Sequence, residues 1–77
     1  MKVNKIETEI VANFQNSKGD ILTIKIDDDV CIIDKNKVMY IGKVLFITQD
    51  SIHLSIEYTR FVGIKFKNIE RISLEEY

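Results

Sequence analysis

"GKVLFITQDSIHLSI", Gly42 to Ile56, is the stretch on which the fold turns. Its second half sets Ile52, Leu54 and Ile56 against Ser51, His53 and Ser55, the period of two of a half-buried strand. Its first half, Val44-Leu45-Phe46-Ile47, is apolar on both faces. A two-residue loop at Gln49-Asp50 sets Ile47 opposite Ile52 and Leu45 opposite Leu54, so this pair of strands predicts Leu45 and Ile47 in the core. Val44 and Phe46 then share the other face with His53 and Ser55. Running the alternation back from Leu45 puts Lys43 among Met39 and Ile41, and an unpaired buried ammonium is too costly to expect. A bulge or bend at Gly42 resolves the conflict, because one extra residue shifts the facing of everything after it.

Outward from this hairpin the chain continues in short pieces. "IETEIVANF" places Ile6, Thr8, Ile10, Ala12 and Phe14 on one face and reads as a strand, with a helix over residues 3–14 as the competing reading. "NSKGD" turns the chain into a strand from Ile21 to Ile26, "DDD" ends that strand, and "VCIID" resumes as a short buried one. "KNK" is the next turn. After Glu57, "YTR" leads into "FVGIKF", with Val62, Ile64 and Phe66 inward, then a single helical turn capped by Asn68 and a short strand through Ile72 and Leu74. The expected fold is all-β: one domain over residues 1–77, a small antiparallel barrel of five to six strands with one helical turn near its C-terminus.

Composition sets the function classes. Seventy-seven residues make one small domain, and with no proline the chain shows no break into linkers. A single cysteine and a single histidine exclude an internal disulfide and a cysteine-based zinc site. No apolar run approaches a membrane span and no apolar signal core opens the chain, so the expected setting is the cytoplasm. The net charge of -1 opposes binding to nucleic acid through a large positive field. The charge is uneven, however: residues 1–34 carry four Lys against seven Asp and Glu, and residues 35–71 carry seven Lys and Arg against three.

The stretches "YIGKVLFITQDSIHLSI" and "VGIKFKNIERISL" resemble the Sm-like and SH3-like small barrels: a glycine, a strand, a polar turn, an alternating strand, and an ending of the form I-x-x-I at Ile69 and Ile72. The resemblance implies a barrel and, for Sm-like proteins, an RNA site. That family places a basic residue directly before the glycine of its second motif, whereas Val62 precedes Gly63 here and Arg60 stands further back. The same half is similar to bacterial pleckstrin-like or GRAM-like domains through Gly42, Leu45 and Thr48, which implies a ligand- or membrane-binding domain closed by a C-terminal helix.

Few residues carry chemistry by themselves. Asp27, Asp28 and Asp29 lack the spacing and glycine of a calcium loop and read as a solvated strand end, so no metal and no cofactor is expected. Cys31 within "VCII" reads as a buried inert thiol. His53 has no catalytic partner near it in sequence, so no catalytic residue is assigned and the protein is not expected to be an enzyme. Two interaction surfaces remain. Val44, Phe46 and His53 form an apolar face that calls for a protein partner, most simply a second copy of the chain. Lys35, Lys37, Lys43, Arg60, Lys65, Lys67 and Arg71, with Tyr58 beside them and Tyr40 and Phe61 as further aromatics, are the candidate RNA-binding set.

Overall fold

The computed structural model describes residues 11–57 and 60–75. Seven strands and one 3-10 turn follow in order: β1 (Val11–Gln15), β2 (Ile21–Lys25), β3 (Asp29–Asp34), β4 (Met39–Ile47), β5 (Ser51–Glu57), β6 (Arg60–Lys65), the 3-10 turn (Phe66–Asn68) and β7 (Ile69–Leu74). All pairings are antiparallel. β1 and β2 form a two-stranded sheet, and the other five form a sheet of order β6-β5-β4-β3-β7. Among the described residues no ladder joins the two sheets, so the expected closed barrel is found as two sheets sharing one core. Of the predicted first strand and its helical alternative, residues 11–14 are strand; Ile6, Thr8 and Ile10 lie outside the described residues.

Side chains at the turn ends close several of the hairpins. Asn16 accepts the amides of Lys18 and Asp20 on its Oδ1 at 2.9 and 3.0 Å, which closes the β1–β2 hairpin. Asp34 does the same before β4, accepting the amides of Asn36 and Val38. Asp28 accepts the amide of Lys25 at 2.9 Å, while Asp27 takes a left-handed φ of 74°, a conformation aspartate tolerates. The "DDD" run is thus a turn that uses a carboxylate on its own backbone. This turn is also stitched to β4, since Asp27 donates to the Val44 carbonyl and Val44 donates to that of Asp28, both at 2.9 Å. Asn68 is the last residue of the 3-10 turn and not its cap: Lys65 precedes the turn without a side-chain cap, and the Asn68 carbonyl accepts the Lys35 amide at 2.8 Å.

The core is the inner face of the five-stranded sheet, covered by the hairpin. Val30, Ile32, Val44, Ile52 and Leu54 are fully buried, with Ile24 and Ala12 from β2 and β1 above them. Val62, Ile64 and Phe66 face inward as predicted, and Phe66 meets Phe14 edge to face with ring centroids 5.6 Å apart.

The β4–β5 register corrects the reading of the opening stretch. Ile47 pairs with Ile52, as the two-residue loop requires, but Val44 pairs with Leu54 and Phe46 with His53, leaving Leu45 as the extra residue. The bulge therefore sits at Leu45, and the ladder to β3 passes Gly42 without interruption. The inward phase of β4 is set by Tyr40, not by Met39 and Ile41, which are 58% and 48% exposed; Lys43 is outside without any shift at Gly42. Val44, expected on the outer surface, is in the core, and Leu45, expected in the core, is exposed. Gly42 is required for a different reason: a Cβ there would collide with the Ser55 carbonyl oxygen of β5.

Candidate functional site

With the inner face filled, the outer face of the five-stranded sheet carries the exposed apolar side chains. Strand register puts Ile33, Cys31 and Asp29 of β3 beside Met39, Ile41 and Lys43 of β4. Ser55 stands beside Phe61, and His53 beside Phe46 and Gly63. Phe61 is 68% exposed and Phe46 48%. The face is apolar because both halves of β4 are apolar on both sides, and the described strands cover only one of them.

One part of this face is rigidly built. The His53 ring stacks on Phe46, centroids 4.1 Å apart and planes 15° from parallel. It also lies over Gly63, where a Cβ would stand 2.7 Å from Cε1. Glycine on β6 is what lets the imidazole lie flat. His53 Nε2 is 2.9 Å from Ser51 Oγ, which is 2.6 Å from Thr48 Oγ1, and Thr48 donates to Asp50 Oδ1 at 3.1 Å. His53, Ser51, Thr48 and Asp50 thus form one hydrogen-bonded chain running from the ring to the carboxylate. A serine this close to a histidine has the spacing of a nucleophile and its base. Here, however, Ser51 is buried, its hydroxyl is occupied on both sides, and its amide donates to Thr48 Oγ1 at 3.0 Å instead of into an open oxyanion site. The geometry suits holding His53 and the Phe46 stack in place.

The candidate residues separate accordingly. Phe46 and His53 are on the outer face and Val44 is not. Of the basic set, Lys43, Lys65 and Arg71 pair across strands with outer-face residues Asp29, Ser51 and Ile33. Lys37 is bound to Glu70 with Nζ 2.5 Å from Oε1, and Arg60 stands 4.0 Å from Glu57. Lys35 and Lys67 are exposed at the turn near Asn68, and Tyr58 lies outside the described residues. Tyr40 packs inward against the core, its hydroxyl 3.4 Å from Asp34 Oδ2. The structure thus divides the basic set: Lys43 lies in the same cross-strand row as Phe61 with Ser55 between them, and Lys65 lies four residues further along the Phe61 strand. Met39 and Ile41 were the outer-face residues the linear pattern missed, whereas Phe61 was already among the candidate aromatics. The phase set by Tyr40 was the signal that places the first two.

Cys31 is half-buried on this face and not in the core. Burial pushes its thiol pKa up, and the negative charge of Glu75 adds to the effect, so the thiol is neutral and weakly nucleophilic. Among the described residues no three His, Cys, Asp or Glu side chains group as metal ligands. No described helix is long and apolar enough to cross a membrane. Comparison of the chain with protein-family models, curated proteins and solved structures returned no match.

Proposed function

We propose that the protein is a non-catalytic interaction module that associates with a second copy of itself through the outer face of the five-stranded sheet. In this reading its two sheets are the parts of a small SH3-like or Sm-like barrel, and it works in the cytoplasm. The observation that carries the proposal is the exposure of Met39, Ile41, Leu45, Phe46 and Phe61 on or beside one sheet face. Large apolar side chains gathered on one exposed sheet face mark contact sites. Charge supports a second copy as the partner. Asp29 and Lys43 are cross-strand neighbours in the middle of the face, and no ion pair joins them within the chain. A two-fold arrangement that sets Asp29 of one copy against Lys43 of the other sets the reverse pair as well, so both charges are matched.

Sedimentation velocity over a wide concentration range tests this. The wild-type chain self-associates, and Phe61→Ser weakens association by about tenfold or more while leaving the folded state intact. A wild-type chain that stays monomeric at millimolar concentration overturns the proposal. The presence of Lys43, Lys65 and Phe61 on one sheet face favours a second reading, an RNA-binding face. Salt-dependent binding of single-stranded RNA, lost in Lys43→Ala and Lys65→Ala, is the result that selects it over self-association. The pleckstrin-like alternative calls for a closing helix, and the last element among the described residues is the strand β7.

A further inference from the structure

A second surface, separate from the outer face, lies where the two sheets fail to join. β2 pairs only with β1 and β7 only with β3 among the described residues, and their remaining edges border a groove of about 830 Å³. Its floor is apolar: Phe14, Leu22, Phe66, Ile69 and Ile72 are only half-buried, and Leu74 is 41% exposed although it points to the core side opposite Val30. These side chains belong to the core by their phase and lack a cover among the described residues. The walls are backbone edges, which present N–H and C=O groups at the spacing of a ladder, and an extended polypeptide is the ligand class that matches both walls at once.

We propose that this groove binds an extended segment of another polypeptide, inserted as a strand between β2 and β7 with apolar residues at alternate positions over the floor. The segment needs both of its edges free, one for each wall. Every described strand of a second copy already has at least one edge paired, so a linear segment fits where a formed sheet does not. A strand of about six residues, ~20 Å, matches the five residues of β2 and the six of β7. The rim is also selective in charge. Glu70 is neutralised by Lys37, whereas Asp20 on one wall and Arg71 on the other have no ion-pair partner among the described residues. A segment with an acidic residue near Arg71 and a basic one near Asp20 complements both.

The test is selection of a phage-displayed octapeptide library on the full chain, followed by amide exchange with the synthetic consensus peptide. The expected consensus alternates apolar and polar residues, and its binding slows exchange of β2 and β7 edge amides by about tenfold or more. Leu74→Lys, at an already exposed position, weakens binding by about tenfold. Arg71→Ala, which leaves the floor untouched, weakens it severalfold, and Phe61→Ser has no effect, which separates this site from the self-association face. Three results overturn the proposal: selected peptides without a period of two, protection confined to β6 or the outer face, or the same protection appearing with protein concentration alone, which assigns the groove to a second copy.

Discussion

The two faces of the five-stranded sheet are built from similar residues and have opposite fates. On the inner face Val30, Val44, Ile52 and Leu54 have no exposure, while on the other face of the same sheet Ile41, Phe46 and Phe61 are close to half exposed or more. Hydrophobicity does not separate them. What separates them is that the β1–β2 hairpin covers one side only, so side chains of equal apolar character contribute to folding on one face and remain available for contact on the other.

The sharpest test of this contrast pairs the faces. Leu54→Ala removes a fully buried side chain and is expected to lower unfolding stability by about 2–5 kcal/mol in urea titrations. Phe61→Ala, a larger truncation, is expected to change it by about 0.5 kcal/mol or less in the monomer. Equal losses would show that the outer face is covered in the folded chain. Next in size, Gly42→Ala forces a methyl against the Ser55 carbonyl and should cost about 1–3 kcal/mol. Gly63→Ala displaces the His53 ring instead; its signature is loss of the ring-current shifts of the Phe46–His53 stack, with about 1 kcal/mol or somewhat more lost in stability.

Smaller effects belong to the rim. Lys37→Ala removes an exposed ion pair to Glu70, worth about 0.5 kcal/mol or less, and 1 M salt should erase most of the difference from wild type. The smallest effect is that of Cys31, whose thiol pKa is raised by burial and then by Glu75. The folded state therefore holds this proton more tightly than the unfolded chain. Its stabilising preference is complete below the unfolded thiol pKa and is lost as pH rises through the raised folded value. Comparison of wild type with Cys31→Ser should show the wild-type urea midpoint falling over that alkaline window and the variant's unchanged by this group.

Much of the fold was legible locally. Ile52, Leu54 and Ile56 alternate cleanly, and Gln49-Asp50 is short enough to pin Ile47 to Ile52. Asn16 and Asp34 sit where turn chemistry needs a side-chain acceptor. The phase of β4 was not legible, since Met39, Ile41, Val44, Leu45 and Phe46 are all acceptable on either side of a sheet. The lysine argument located a shift in the wrong place because it took Met39 and Ile41 as inward. The candidate site suffered most from this, since Val44 and Leu45 exchanged places and the outer-face set grew to include Ile41 and Phe61.

By itself the sequence determined the strand content, the turns and the inward residues of β5 and β6, because a period of two and a turn-forming side chain act over a few residues. Only the tertiary structure decided where the bulge falls, which apolar face is covered and that the two sheets leave a groove between β2 and β7. Those outcomes depend on contacts between distant strands. The Ser55 carbonyl against Gly42 and the hairpin over Val44 and Leu54 are two such contacts, and no local pattern encodes either.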